Sequence, residues 1–573
     1  MAARFQRTLV ALLAVALVFG LWFGWRAYRR DVHPGPGEPA ASGGALVASL
    51  RSEPAAYNRL LEATAAADLL ALLTHATLVK VDRTTDELQP ALAESWTQSP
   101  DGLTYTLKLR SGVQFADGAP LTSADVLFTS RVLYDVKVNS VFQSGIRVGG
   151  QPLVFEAPDP ATVIVRLPAP FAPGLRLLET LPILPRHKLE AAFNAGTFRE
   201  QWKIGTPLSE LTGLGPFVLT EHTAGQRMAF SRNPRYWKRD SNNVQLPYLD
   251  KLTVTIVPDQ NTEALRMESG AIDLMSNGDI RPDDYAAFKR ASEQNKLRLI
   301  DVGVSLDPNL LWFNLQKDNA IFREKAFRQA VSYAVDRQAI VNTVFLGTAV
   351  PIHGPVTPGN KTWYTEAAPT YAYDAPRARE LLASLGLKPR AKDGLLVDAQ
   401  SRPVRFSLLT QKGHTIRERT ATVIQEHLRQ VGITVDVVGL DTGGIVQRWQ
   451  KGDYDSIYFG VQASSTDPSI AMADFWLSSG PFHFWHPRQK APATEWETRI
   501  DELMRKVASA PTLSERQQLF ADVQTIFGEQ LPAIYFVAPR VTLAVSGRVA
   551  NPQPALLIPQ LLWSADTLRV DQR

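Results

Sequence analysis

A chain of 573 residues is too long for one ordinary domain and implies two or three. Hydrophobic residues at 45% and charged residues at 21% are those of a globular protein, and a net charge of +4 with no basic stripe gives no case for nucleic acid. With no cysteine, disulfides, thiolate metal sites, a cysteine nucleophile and a lipid-modified cysteine anchor are all excluded.

The first element in chain order is apolar. Arg4 and Arg7 precede an uncharged run from Thr8 to Trp25, and Arg26, Arg29 and Arg30 follow it. A helix of about 18–20 residues just spans a bilayer. The exit through Trp22, Phe23 and Trp25 suits a membrane interface and lacks a small-residue cleavage site. The run predicts an uncleaved transmembrane anchor over residues 1–30, in preference to a cleaved signal. Residues 31–44, rich in Pro, Gly and Ser, read as a flexible linker. Positive charge after the run is at least as high as before it, so charge alone does not place the body outside the cytoplasm.

Ala45–Leu50 reads as a strand. Within residues 91–129, Ser99-Pro100-Asp101-Gly102 is a turn signal, and Leu103, Tyr105, Leu107 and Leu109 alternate with polar residues as in a half-buried strand. Asp117-Gly118 is a second turn, and Thr122 or Ser123 can cap a helix starting at Ala124. Asp374 caps another helix, through Leu381, Leu382 and Leu385, stopped by Gly386.

Residues 404–461 give the clearest topology. Val404–Leu409 reads as a strand, and Thr415–Val431 as a helix with Ala421, Ile424, Leu428 and Val431 on one face and Gly432 as its stop. A strand Ile433–Val438, a short helix Ile445–Gln450 and a strand Tyr454–Val461 follow. This order implies parallel strands with right-handed crossovers. Ligands of such sheets collect at the carboxyl ends of the strands. The loop Gln462–Ser469 leaves the last strand at that end and is the site candidate that topology supplies.

Catalytic motifs are mostly absent: no H-E-x-x-H, no G-x-S-x-G, no P-loop and no complete G-x-G-x-x-G. His414 and Glu418, four apart, could share a helix face with His427 nearby and bind zinc. Arg417 and Arg419 crowd the same turn, so a solvated helix start is the preferred reading. The carboxylates Asp283-Asp284 and Asp453/Asp455 read as caps or structural groups in turns and strand starts. Asp474–His486 packs Phe475, Trp476, Phe482, Phe484 and Trp485 into a short span with two histidines. Such aromatics line a ligand pocket or simply pack a core or lid. Trp476 and Trp485, flanking Gly480-Pro481, are the better ligand candidates.

The wording of several segments, in order along the chain, resembles one family. Residues 91–129 carry ALAESW, DGLTYTLKLRSGVQFADGAPLT and SADVLF. Gly213-Leu214-Gly215-Pro216-Phe217 precedes Arg232-Asn233-Pro234-Arg235-Tyr236-Trp237. Leu246-Pro247-Tyr248-Leu249-Asp250, Glu268-Ser269-Gly270-Ala271-Ile272-Asp273, Phe327–Arg337 (FRQAVSYAVDR) and Lys451-Gly452-Asp453-Tyr454-Asp455 follow. Together they resemble the family 5 solute-binding proteins of ABC importers, the dipeptide and oligopeptide binders. The resemblance runs from about residue 50 to the C-terminus.

That resemblance implies an α/β, two-lobed type II periplasmic-binding-protein fold with an extra insertion subdomain, here preceded by one N-terminal transmembrane helix. Mapped on this chain, one lobe covers about 45–78, 205–300 and 530–573, the insertion subdomain about 79–204, and the second lobe about 301–529. It places Glu53, Tyr57 and Asn58 in the cleft after the first strand, and Phe313 and Asn314 near the lobe crossing. It also draws on Gln462, Ser464 and Asp467 of the ligand loop. In peptide binders this loop carries an acidic residue that meets the peptide ammonium. Laid on Gly460 and Asp467-Pro468, that acidic position falls on Ser464 and the loop's tryptophan on Val461. The charge partner is missing unless Asp467 or Glu53 replaces it.

The function so implied is the extracytoplasmic substrate-binding subunit of an ABC importer, which binds a peptide or other small organic solute by lobe closure. No cofactor, metal or catalysis is implied. Its partners would be the solute, permease subunits with the ATPase on a separate chain, and the membrane through the N-terminal helix; nucleic acid is not among them, and a monomer is expected. The location is periplasmic or extracytoplasmic, anchored to the cytoplasmic membrane, or free in the periplasm if the segment is cleaved. The rival reading is a membrane-tethered solute sensor or interaction protein using the same closure. A hydrolase would need a nucleophile and base that are not found, and the membrane segment occupies the place of a DNA-binding helix-turn-helix.

Overall fold

The computed structural model describes residues 43–316, 320–461, 465–470 and 473–571. Two sheets organise two lobes. The first has eight strands. Their order is Phe217–Thr223, Arg227–Arg232, Lys251–Ile256, Ala45–Leu50, Leu274–Asp279, Val537–Ser546 and Leu297–Val304, with Ala349–Pro351 also paired to Val537–Ser546. Ala45–Leu50 runs parallel to Lys251–Ile256, Ala45 opposite Lys251, and its Leu46, Ala48 and Leu50 are buried in the lobe's core. Burial of these three on one face fixes the strand's register, because a one-residue slip would exchange them with Val47 and Ser49, which face a different set of partners.

The second sheet orders Thr434–Leu440, Arg405–Gln411, Ser456–Phe459, Leu310–Phe313 and Ala533–Tyr535. Arg405–Gln411 is parallel to both Thr434–Leu440 and Ser456–Phe459, as the alternation of elements in the sequence implies. The crossover helix Thr415–Gln430 buries Thr420, Ala421, Ile424 and Leu428. It stops before Gly432, which sits at a φ of +87° in tight surroundings; a Cβ there would lie 2.8 Å from Leu396 Cγ, so no side chain fits. The next helix, Thr442–Lys451, is longer than its apolar pattern suggests because Asp441 caps it, accepting from Gly444 N. The last parallel strand is shorter, Ser456–Phe459, matching the length over which Leu310–Phe313 pairs with it.

A four-stranded antiparallel sheet, Ala93–Gln98, Thr104–Leu109, Thr162–Arg166 and Val154–Asp159, builds the insertion. The helix Ser123–Tyr134 covers it, started by a capping box between Thr122 and Asp125. Leu107, Val126 and Val163 of this unit share one continuous core with Leu46 and Val254 of the first lobe. The insertion is therefore packed onto that lobe as one body. Besides the excursion that adds Ala349–Pro351 to the first sheet, the chain passes between the sheets directly at residues 305–309 and again at Phe536, which alone separates Ala533–Tyr535 from Val537–Ser546. Ser305 N donates to Pro539 O at 2.8 Å and ties the two crossings together. Two short neighbouring crossings are what a hinge requires.

One expectation is corrected. No helix among the described residues is long and apolar enough to cross a membrane. The longest, Leu513–Gln530, carries Glu515, Arg516, Asp522 and Glu529 along its 18 residues. The run Thr8–Trp25, on which the anchor expectation rests, lies outside the described residues. Among the described residues the fold is accordingly a two-lobed α/β architecture with an insertion subdomain and no transmembrane helix. The membrane as a partner through that helix, the membrane and transmembrane character, and an anchored location are withdrawn with it.

Candidate ligand site

The carboxyl ends of Arg405–Gln411 and Ser456–Phe459 meet the N-terminal turn of the helix Thr415–Gln430. Arg417, on that turn, lies across both strand ends. Its Nε donates to Asn309 Oδ1 at 2.8 Å, its Nη1 to Gln411 Oε1, and its Nη2 reaches Gly460 O at 3.5 Å. The guanidinium carbon is 4.0 Å from the centre of the Phe459 ring. All these partners are neutral, and no carboxylate pairs with Arg417 among the described residues. Burial brings its pKa down from 12.5 to about 10. It remains a cation at neutral pH, half-buried and without a counter-charge among those residues. Gly460 leaves room for these groups: a Cβ there would lie 2.5 Å from Asn309 Oδ1 and 3.0 Å from Arg417 Nη2 and would displace one or both side-chain ends.

Beyond Gly460 the loop is held from two sides. Thr466 Oγ1 donates to Asp86 Oδ1 of the insertion subdomain at 2.6 Å. Arg176 donates to the same carboxylate oxygen through Nη2 (2.5 Å) and to Asp86 O through Nη1 (2.9 Å). Asn360 of the second lobe donates to Thr466 O at 2.9 Å. A second strut joins the same bodies, from Ala172 N to Ala508 O at 2.7 Å. On the outer side, Arg419 of the second lobe pairs with Asp283 of the first at 3.1 Å, both exposed.

The residues nominated from sequence fall in different places. Gln462 and Ser464 lie outside the described residues. Asp467 is buried; its Oδ1 accepts from Ser469 N and from Arg516 Nη2 at 2.7 Å, so its charge is already matched. Glu53 accepts from Gly225 N at 2.9 Å and from His222 Nε2 at 3.3 Å, and the Gly225 bond leads in holding its carboxyl below the ordinary value. With His222 Nε2 donating to Glu53, Tyr57 O–H donates to His222 Nδ1 at 2.7 Å, and Tyr57 lines a small cleft with His75, Trp202 and Phe217. Asn58 is buried and caps the turn Arg59–Leu61.

Phe313 is fully buried, stacked on Phe322 with ring centres 4.9 Å apart. Asn314 donates to Gly452 O, which fixes the turn before Ser456–Phe459. Trp476 and Trp485 are each 1% exposed and pack edge-on against Phe527 in the second core. Burial places Asn58, Phe313, Asn314, Trp476 and Trp485 in the framework behind the site. His414, Glu418 and His427 do not converge: His414 caps the helix Thr415–Gln430, Glu418 accepts from Gly413 N, and His427 accepts from Asp336 N.

Sequence reasoning missed Arg417 and the Asp86, Arg176 and Thr466 tie. Arg417 carried a signal, a cation in the first turn of a helix whose dipole disfavours cations there. The tie spans 380 positions, and nothing local marks it.

Compared with known proteins, residues 87–482 match the family model described as bacterial extracellular solute-binding proteins, family 5 middle. A probable ABC transporter-binding protein of Deinococcus radiodurans is 26% identical over 507 residues, covering 84% of this chain and 85% of its own. The oligopeptide-binding protein AppA of Bacillus subtilis is 25% identical over 554 residues, 94% of this chain and 95% of its own. The crystal structure of the ABC transporter substrate-binding protein CtaP from Listeria monocytogenes aligns with a TM-score of 0.75 at 24% identity, covering 93% of this chain and 100% of that one.

Proposed function

Because the chain belongs to the bacterial extracellular solute-binding proteins of family 5, we propose that it takes a carboxylate-bearing peptide or related small organic solute between its lobes and presents it to permease subunits. Solute binding for an ABC importer comes with the family, and so does the absence of catalysis. The extracytoplasmic face of the membrane is where such a protein meets both solute and permease.

The observation that carries the ligand class is Arg417. A half-buried guanidinium held in place by Asn309, Gln411 and Gly460 leaves donor capacity at the carboxyl edge of the sheet. A planar guanidinium is suited to a carboxylate, which it can meet with two parallel bonds. The nearby anion Asp467 is neutralised by Arg516. The described part of this edge therefore offers a ligand the positive charge of Arg417. The oligopeptide-binding name of the Bacillus relative agrees with a peptide-like solute.

Native mass spectrometry of small molecules released from the purified protein, followed by calorimetry with Arg417→Gln, tests this. A released acid is expected, with affinity reduced about 10- to 100-fold in the variant, the worth of one charged hydrogen-bonding partner. A neutral or cationic solute whose affinity ignores the substitution would overturn the ligand class.

A further inference from the structure

The second lobe holds a polar cluster that ligand binding does not use. Glu497 is the third residue of the helix Glu495–Ser509, and its Oε2 is consumed by the cap, accepting from Ala493 N (2.9 Å), Thr494 N (3.0 Å) and Thr494 Oγ1 (3.0 Å). Its Oε1 turns inward. There His486 Nδ1 lies at 2.6 Å and His483 Nε2 at 2.8 Å, with Gln489 Nε2 at 3.2 Å and Trp485 Nε1 at 3.3 Å. The side chains of His483, His486 and Glu497 are 3%, 6% and 0% exposed. The two histidine nitrogens and the carboxylate oxygen all lie within 4.8 Å of one another.

Two features of this cluster suit a bound cation. His483 Nδ1 faces Phe475 O at 3.3 Å, so both ring nitrogens of His483 face oxygen acceptors. A neutral imidazole has one ring proton to give. With that proton on Nδ1 and donated to the Phe475 carbonyl, Nε2 presents a lone pair to the cluster, the arrangement in which histidine ligates metals. The second feature is Gln489 Oε1, which is buried and has no hydrogen-bond partner. A half-turn of the Gln489 amide exchanges its nitrogen and oxygen, and the orphaned oxygen then points at the same centre.

We propose that His483 Nε2, His486 Nδ1, Glu497 Oε1 and, after that half-turn, Gln489 Oε1 form a four-coordinate site for a divalent cation of the zinc class. Two imidazoles, a carboxylate and an amide oxygen are donors such an ion accepts in tetrahedral geometry. Zinc bonds of about 2.0–2.2 Å put neighbouring ligand atoms roughly 3.3 Å apart, so the 2.6 and 2.8 Å contacts open by roughly 0.5–0.7 Å on binding, and the widest pair, within 4.8 Å, closes by up to roughly 1.5 Å. The ion would pin the segment around His483–Gln489 to the helix Glu495–Ser509. This assignment stands apart from the ligand edge at Arg417 and does not depend on what the cleft binds.

The test uses the full chain purified without a polyhistidine tag. Elemental analysis after dialysis, Zn(II) calorimetry of chelator-stripped protein and the visible bands of added Co(II) are the readouts. About one zinc per chain and a tetrahedral Co(II) spectrum are expected. Zinc affinity should fall by about 100-fold or more in His486→Gln and by about 10-fold in Gln489→Leu, using the 10- to 100-fold range seen when single groups around a metal are lost. Gln489→Leu removes an amide whose oxygen is unpaired and whose nitrogen makes one long bond to Glu497 Oε1, so it is expected to fold with at most a small drop in melting temperature in chelator and carries the test should His486→Gln not fold. Zinc well below one per chain in the wild type, or zinc binding indifferent to Gln489→Leu, would overturn the assignment.

Discussion

Arg516 Nη2 lies 2.7 Å from Asp467 Oδ1, with both side chains buried, and its Nε is spent on Val507 O. The guanidinium also lies 4.8 Å from the centre of the Trp363 ring. This pair anchors the base of the ligand loop to the helix Leu513–Gln530. Removing one partner of a buried pair leaves an uncompensated charge and costs about 3–5 kcal/mol. Arg516→Met is therefore expected to lower the denaturation midpoint sharply. Adding Asp467→Asn should recover part of the loss. A double variant no better than Arg516→Met alone would mean that packing on Trp363, not charge, holds the loop.

Free-amine peptides are expected to bind poorly. The resemblance puts the family's acidic position on Ser464, Asp467 is matched by Arg516, and Glu53 is engaged by Gly225 and His222. A serine hydroxyl can accept from an ammonium but cannot neutralise it. An unpaired buried charge of this kind costs about 2–5 kcal/mol. N-acetylated tripeptides should bind more tightly than the same tripeptides with a free amine, and Ser464→Asp should narrow or reverse the difference. Calorimetry showing tight binding of a plain dipeptide that is lost on N-acetylation would refute this.

Stability is expected to fall in mild acid. Burial brings His75 down from 6.5 to about 4, and its Nδ1 is engaged with Thr74 Oγ1 at 2.8 Å. The unfolded chain takes up a proton near pH 6.5 while the folded chain resists until about 4. Stability attached to this group is thus full above 6.5 and declines through that window. At about 1.4 kcal/mol per unit the loss is on the order of 3 kcal/mol. His353, also held near 4 by burial, adds a slope of the same sign. Urea unfolding between pH 7 and 4 should show a flatter slope for His75→Gln than for the wild type; equal slopes would remove His75 from the account.

What the sequence made legible follows from periodicity. Ala421, Ile424 and Leu428 mark a helix face whatever surrounds it, and alternation around Leu408 and Val435 marks strands, so the parallel order of the second sheet and its ligand edge could be derived. Burial of individual aromatics could not. Trp485 and Phe482 are three residues apart in one loop, yet Trp485 is 1% exposed and Phe482 41%. The difference is made by Phe527 and Glu497, which arrive from later helices. The cation at Arg417 was visible as a residue but not as a site, because its surroundings come from Asn309 and Gly460, far away in the chain.

The tie between Thr466 and Asp86 gives the last expectation. Thr466 belongs to the second lobe's ligand loop and Asp86 to the insertion that shares the first lobe's core, so their 2.6 Å hydrogen bond spans the two moving bodies. Asp86 is held ready by Arg176, whose guanidinium bonds both its side chain and its carbonyl. A hydrogen bond to a charged acceptor is worth about 1.5–3 kcal/mol. If it biases the lobes toward closure, Thr466→Val should shift the ligand-free population toward the open form and weaken solute binding, while changing the folded stability of each lobe little. Ligand at one hundred times Kd stabilises the wild type by ~2.7 kcal/mol if only the folded state binds. Small-angle scattering is expected to show a larger radius of gyration for ligand-free Thr466→Val than for ligand-free wild type, with the two converging once each is saturated. Asp86→Asn keeps an acceptor but removes the charge that orders Arg176, and an intermediate radius is expected for it. Identical scattering from wild type and Thr466→Val without ligand, together with unchanged affinity, would show that the hydrogen bond does not bias closure.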